Sequence, residues 1–334
     1  MPEDRMGNPE SVRRWPAEWE PHFGTWISWP NLCGESFEFG LAVIRNTMLE
    51  MVRALVPGEQ VLINYTLESE RSWLESQLSD EECARVQFFD VPFREPYLRD
   101  NGPVFVQTGP ENKLTGIRWE FDGWSGKYPP HDVDNTTARC MAETVGFPIE
   151  DAGFVFEGGA IETNGQGLLL VSEPSFRARN PDFPKGKAEE RFRELLGVNE
   201  ITWLDCPTIP GDDTEGHVDV STRFIDAQTI IVSGPDDYFE TIRQLGFRTL
   251  RLPVPFPGWH PNREIETPAS YANFYIGNEV VLVPVFDQPT DEEACEILAS
   301  CFPGRKLVRI DANEIINGQG GIHCLTQTVP APGF

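Results

Sequence analysis

Five polar residues recur along this chain at nearly even intervals. Asp100, Glu157, His217, Asn273 and Cys324 are separated by 57, 60, 56 and 51 residues. Each sits in a polar or glycine-rich stretch embedded in apolar strand-and-turn sequence: LRDNGP (98–103), FEGGAIETNGQG (156–167), GDDTEGHVDVSTRF (211–224), PASYANFYIGNEVVLVP (268–284) and GQGGIHCLTQ (318–327). Around them the pattern repeats as helix, strand, irregular polar loop and strand pair. Helical spacing predicts helices over 38–56, 68–78, 136–145, 188–196 and 237–245, several of them stopped by a glycine (Gly58, Gly146, Gly197, Gly246). A capping box formed by Thr290 and Glu293 predicts another helix ending near Cys301. Strands are expected over 60–65, 86–91, 104–107, 168–172, 201–204, 230–233, 248–252, 271–276, 280–285 and 307–310. Repeated units of this size cannot bury their apolar faces alone, so they must pack on one another. A ring with the five polar residues pointing at its centre is the economical arrangement, spanning 1–334 as a single domain. The opening TWISWP (25–30) is then expected to pair with the unit ending at Cys324, so that no sheet edge is left open. A doubly wound parallel sheet competes poorly, because no glycine-rich phosphate loop of the required spacing follows a strand.

Charge narrows the function. With 27 Lys and Arg against 53 Asp and Glu, the formal charge of −26 opposes binding to nucleic acid or an anionic membrane and attracts small cations. The seven cysteines (33, 83, 140, 206, 295, 301, 324) show neither paired spacing nor metal-ligand spacing, which points to a reducing cytosol. The first residues, MPEDRMGNPES, are polar and lack the apolar core of a secretory signal. The longest apolar runs, such as 280–286, are strand-sized and far short of the ~20 residues that span a bilayer. A soluble, cytoplasmic protein is expected, with its oligomeric state open and a homo-oligomer compatible with everything above.

Cys324 stands behind a glycine run and beside His323. Glycines allow close backbone approach, and a cysteine so placed is a candidate nucleophile, although a buried thiol in a final strand would look the same. His217, between the acids of its loop, is the candidate general acid and base. If 323–324 is extended, His323 points away from the cysteine and is the weaker base. Asp219 lies two positions from His217, on the same face if the segment is a strand. His217, Asp219 and Cys324 could also bind zinc, but no other close His or Cys pair supports a metal, so none is expected, nor any cofactor.

Together with PAEWEPHFGTWISWP (16–30), these motifs run nearly end to end and in order, and the chain resembles the agmatine deiminase and bacterial-type peptidyl-arginine deiminase family. The resemblance implies a five-fold pseudosymmetric α/β propeller, the pentein-like fold of guanidine-modifying enzymes. It implies hydrolysis of a terminal guanidinium: agmatine to N-carbamoylputrescine and ammonia, a step of putrescine formation, with peptidyl-arginine deimination as the alternative and a non-catalytic guanidinium-binding ring as a second one. By the same resemblance Asp100 and Asp219 are the pair that holds the guanidinium, Glu157 orients His217, Asp213 binds the substrate amine, Asn273 supports the centre, and Cys324 forms a thiouronium intermediate. Tyr97 stands where many agmatine deiminases carry a tryptophan and would form an aromatic wall. Gln319 interrupts the family's glycine run, and Gly321 takes the position of an asparagine. Asp212, Asp213 and Glu215 crowd the loop before His217 and disfavour a substrate with an anionic far end, so the expected partner is a small cationic guanidine such as agmatine.

Overall fold

The computed structural model describes residues 13–32 and 34–333, so Cys33 and the first twelve residues, on which the leader expectation rests, lie outside the described residues. One connectivity recurs through five of the sheets: a first strand pairs antiparallel with a second, which a helical crossover joins to a third lying parallel to it. The instances are Val104–Thr108, Lys113–Glu120 and Ile149–Val155; Ile161–Thr163, Leu168–Ser172 and Glu200–Leu204; Thr222–Asp226, Thr229–Val232 and Arg248–Arg251; and Tyr275–Ile276, Val280–Val285 and Lys306–Asp311. The fifth joins the two ends of the chain. Thr326–Pro330 runs antiparallel to His22–Ser28, with Gln327 opposite Trp26, and His22–Ser28 is parallel to Gln60–Tyr65, which in turn pairs with Val86–Asp90. The expected pairing of TWISWP with the last unit is therefore present.

A parallel pair needs a long crossover, and the helices supply it. Leu41–Leu55 bridges the second and third strands of the sheet that holds both chain ends, burying Ile44, Met48, Val52 and Leu55. Thr137–Val145 and Lys185–Leu196 end where the sequence places their stops, on Gly146 and Gly197 in the left-handed region (φ 90° and 68°). Only glycine enters that region without strain. The middle strands are largely buried, as in Leu168–Ser172, every residue of which is buried, although Lys113–Glu120 is exposed at both ends.

Each of the five polar residues precedes the first strand of its sheet by five residues or fewer, so equivalent positions of the repeat deliver them. Some expectations fail there. The stretch 98–103 is not an open loop but begins as a helical turn, Leu98–Asn101. Tyr271–Phe274 is not strand, and only Tyr275–Ile276 pairs with Val280–Val285. Thr290 does not cap its helix. Its hydroxyl lies 2.8 Å from the Tyr271 hydroxyl, and Asp291 instead takes the backbone N–H groups of Phe286 and Gln288. A helical turn Asn313–Asn317 and a hairpin, Gly258–His260 with Ile265–Thr267, had no periodic signal strong enough to find. No helix among the described residues is long and apolar enough to cross a membrane, and Cys83, Cys140, Cys206, Cys295, Cys301 and Cys324 are free thiols.

Candidate active site

The five delivered residues converge, and Cys324 lies at the meeting of two hollows. One, with about 270 Å³ of space, is lined by Tyr97, Asp100, Trp124, Tyr128, Asp213 and Gln319 among others. The second reaches His217 and Asn273. Cys324 is buried, on a turn rather than an extended strand: the N–H of Leu325 reaches back to the carbonyl of Gly321. This overturns the expectation that His323 simply points away from the cysteine. The Cys324 thiol lies 3.6 Å from Asp219 Oδ2, to which it donates, and 3.4 Å from Asn273 Nδ2.

The glycines before it are explained by contact. A Cβ on Gly320 would meet Tyr97 at 2.3 Å, and one on Gly321 would meet Asn273 Oδ1 at 2.1 Å. Gly321 therefore stands in the asparagine position because the carboxamide of Asn273 already fills that space, where it accepts the His323 N–H at 2.9 Å. Gln319, which breaks the glycine run, adopts the left-handed conformation a glycine would favour (φ 74°). Tyr97 walls this hollow as expected and anchors the same segment, its hydroxyl donating to the Gly318 carbonyl at 2.5 Å.

His217 is buried, with Nε2 3.6 Å from Glu157 Oε2 and Nδ1 3.9 Å from Asp100 Oδ1. Neither ring nitrogen has a hydrogen-bond partner among the described residues, so both face the site unspent. The ring packs on Gly159, where a Cβ would lie 2.6 Å from Nδ1. Of the doubled glycine after Glu157, Gly159 is thus required by the imidazole, and Gly158 by the Arg99 carbonyl, which a Cβ there would meet at 2.2 Å. Burial alone would lower the pKa of His217, but the carboxylates of Asp100, Glu157 and Asp219 outweigh it and raise it to about 9.

The acids are sorted by their partners. Asp100 accepts from Gly159 N at 3.0 Å and from Trp124 Nε1 at 3.1 Å, and burial raises its pKa to about 6 against the pull of His217. Glu157 is buried against Arg179 Nε at 2.6 Å. Burial pushes its pKa up, but the guanidinium wins and holds it below the ordinary value. Asp219 is not on a strand face with His217, because Val218–Val220 is a tight 3-10 turn. That turn sends it to His323, whose Nδ1 lies 2.7 Å from Oδ2, while Oδ1 has no partner. Burial opposes its ionisation and His323 more than restores it.

The acidic loop before His217 is not a uniform cluster. Asp212 folds the loop by accepting from Thr214 N and Gly216 N at 2.8 and 2.9 Å. Glu215 is spent on Arg179 and Lys127. Asp213 alone lines the hollow with Asp100 and Cys324, accepting from the Tyr128 hydroxyl, and burial lifts its pKa to about 6. Trp124, Arg179 and Glu18 were not singled out from sequence. Trp124 enters through a backbone at φ 53° and meets Tyr97 edge-on at 5.8 Å, and nothing in its local sequence signals this. Glu18 lies inside the motif at 16–30, which carried the only hint.

Chemically, four carboxylates, one imidazole and one thiol enclose a narrow hollow with aromatic walls. Burial and the charges of Asp219 and Asp100 push the Cys324 thiol well above its ordinary pKa, so in the empty site it keeps its proton. A cation between the two aspartates would remove that obstacle.

The model of the Porphyromonas-type peptidyl-arginine deiminase family matches residues 14–330. A protein of Selenomonas ruminantium named "Putative agmatine deiminase" is 31% identical over 357 residues, covering 95% of this chain and 95% of that one. One of the same name from Vibrio parahaemolyticus is 30% identical, covering 95% and 96%. Among solved structures, C. jejuni agmatine deiminase with substrate bound shares the fold at TM-score 0.86 and 24% identity, covering 95% and 96% of the two chains. A Porphyromonas gingivalis arginine deiminase structure aligns at TM-score 0.83 and 26% identity, covering 96% and 98%.

Proposed function

The chain belongs to the Porphyromonas-type peptidyl-arginine deiminase family, and from that premise we propose that it is an agmatine deiminase, hydrolysing agmatine to N-carbamoylputrescine and ammonia. The observation that carries the choice of substrate is Asp213, a carboxylate in the same hollow as Cys324 and Asp100 and free of any cationic side chain on its carboxyl group. Agmatine ends in an ammonium, which such an acid would hold. Free arginine presents a carboxylate there, and a peptidyl arginine presents uncharged backbone.

In this reading Asp100 and the free Oδ1 of Asp219 accept the guanidinium N–H groups in pairs. The incoming cation offsets the two charges that keep Cys324 protonated, so the thiol releases its proton to solvent. The sulfur bonds to the guanidinium carbon, giving a tetrahedral adduct. His217, protonated and held by Glu157, gives its proton to the departing nitrogen, and the C–N bond breaks to release ammonia. His217 then takes a proton from water as the water oxygen bonds to the thiouronium carbon, and the C–S bond breaks with the hydroxyl proton passing to the departing sulfur, leaving the ureido product and the starting thiol. Asn273, within reach of both Cys324 and Asp219, keeps them in register.

The recurrence of one strand pattern and the joining of both chain ends in one sheet support a five-fold pseudosymmetric propeller, with residues 1–334 as a single catalytic domain and its site at the axis. The strong negative charge and the free thiols support a cytoplasmic protein without nucleic-acid or membrane partners. Our reading needs no cofactor or metal, because the site's own thiol, imidazole and carboxylates supply every step.

A ureido-specific colour assay with agmatine, free arginine and a blocked arginine peptide tests the reading: agmatine should win, and a preference for the peptide would replace it with protein-arginine deimination. Binding of agmatine without any ureido product would leave a non-catalytic guanidinium-binding protein. Asp213→Asn is expected to raise the agmatine KM about ten-fold, the factor for losing ~1.4 kcal/mol, with a smaller effect on an uncharged alkylguanidine of equal length. Equal losses on both substrates would remove Asp213 from the amine. The pH profile of kcat/KM, which reports the free enzyme, should rise through about 6 as Asp100 and Asp213 ionise and fall through about 9 as His217 loses its proton. A profile flat from pH 5 to 10 would contradict both assignments.

A further inference from the structure

Behind the reacting groups lies a buried relay that the mechanism above does not use. His323 Nδ1 is 2.7 Å from Asp219 Oδ2, and His323 Nε2 is 2.9 Å from Glu18 Oε2, so one imidazole is gripped by a carboxylate at each nitrogen. All three side chains are almost fully buried. Glu18 is itself fixed by Arg223 at 2.7 Å and Arg99 at 3.1 Å, and accepts the N–H of Ile276 at 3.0 Å. Arg99 Nη1 donates to Gln327, and Arg223 Nε reaches Glu162. The relay thus starts in the N-terminal segment and ends on the carboxylate that accepts from the nucleophilic thiol.

We propose that His323, seated on Glu18, is a positioning residue that keeps Asp219 ionised with Oδ2 turned inward and Oδ1 presented to the guanidinium. The proposal rests on the reading of Asp219 as a guanidinium-binding acid. A carboxylate is an acceptor only, so each contact is a hydrogen bond only if the facing ring nitrogen carries a proton. A doubly protonated imidazole between two carboxylates leaves both of them charged. Turning the ring would break both bonds at once, and the backbone N–H of His323 is separately fixed by Asn273 Oδ1. Oδ2 of Asp219 is therefore held between His323 and the Cys324 thiol, and Oδ1, which has no partner among the described residues, is left to accept a further donor. The charged groups facing His323 are Asp219 and Glu18 directly, and Arg223, Arg99 and Glu162 through Glu18. Tyr275 lies beside the ring at 6.5 Å between centroids.

The sign follows from the direction of the shift. His323 holds the pKa of Asp219 below its ordinary value, so Asp219 stays ionised throughout the acid limb, which Asp100 and Asp213 shape. Without His323 the pKa of Asp219 rises and it joins Asp100. His323→Gln is expected to lower kcat/KM roughly 10–100-fold, the range for partners that orient a group at a reacting centre. The acid limb should move to higher pH and steepen by up to one further proton. Glu18→Gln, which keeps an acceptor oxygen but loses the charge, should shift the limb the same way by less. In the same variants, alkylation of Cys324 by a cationic haloacetamidine should slow far more than alkylation by neutral iodoacetamide. A folded His323→Gln protein with a pH-uniform loss and equal slowing by both reagents would overturn the relay. Should both variants fail to fold, the ¹⁵N spectrum of histidine-labelled wild-type protein decides. Both His323 nitrogens protonated at the pH of maximal activity supports the relay, and one bare nitrogen sinks it. Absence of agmatine turnover by the wild type would refute the proposed function instead, while the nitrogen spectrum and the reagent ratio would still report on His323.

Discussion

Cys324→Ala is expected to yield a folded protein whose turnover of agmatine is lower by about four orders of magnitude or more, the scale seen when a covalent nucleophile is deleted. Folding should survive because the side chains that hydrogen-bond the sulfur, Asp219 and Asn273, both keep other partners: Asp219 bonds His323, and Asn273 bonds the His323 backbone. Substrate should still bind, since the acids that hold the guanidinium and the ammonium are untouched. The checks are steady-state turnover, a thermal melt, and equilibrium dialysis with labelled agmatine. Near-normal turnover by the variant, or labelling of another cysteine by a haloacetamidine in the wild type, would dismiss Cys324 as the nucleophile.

The second largest effect is expected at His217. His217→Gln removes the group that protonates the departing nitrogen and deprotonates the water, each worth about 10²–10⁴ in rate. Water attack on the thiouronium then loses its base, because Glu157, its pKa held low by Arg179, faces His217 rather than Cys324, and in this reading Asp100 and Asp219 are bonded to the thiouronium nitrogens. An adduct on Cys324 should therefore accumulate when the variant is mixed with agmatine, visible in the intact-protein mass. The limb of the kcat/KM profile near pH 9 should vanish with the imidazole. Retention of that limb in the variant would assign it to another group.

Much of the scaffold was legible because its signals are local. Gly146 and Gly197 terminate helices by entering a backbone region closed to other residues, and a strand such as Leu168–Ser172 is apolar enough to admit no other reading. The even spacing of Asp100, Glu157, His217, Asn273 and Cys324 survived as equivalent positions of one strand pattern. Local signals failed where a distant partner decides. Thr290 has the sequence of a cap, yet a tyrosine hydroxyl nineteen residues away takes its side chain. Asp219 and His217 would share a strand face, but the chain turns between them to bring Asp219 to a histidine 104 residues later. Trp124, Arg179 and Glu18 are silent for the same reason: Arg179 meets Glu157 across 22 residues, and Glu18 meets His323 across 305. Resemblance supplied the roles of Glu157 and Asp213, which composition and periodicity could not.

The sheet that joins the two ends of the chain also sets a timetable. His22–Ser28 is synthesised well before its antiparallel partner Thr326–Pro330. At synthesis rates of roughly 5–20 residues per second, the roughly 300 residues between them take on the order of 15–60 s. For that interval one side of an apolar strand is an open template for any other strand in the cell. The nucleophile arrives with the segment that closes it, since Cys324 lies two residues before Thr326. A nascent chain stalled short of that point would be both inert and adhesive, which makes ribosome-bound chaperones the natural guardians of this protein's youth.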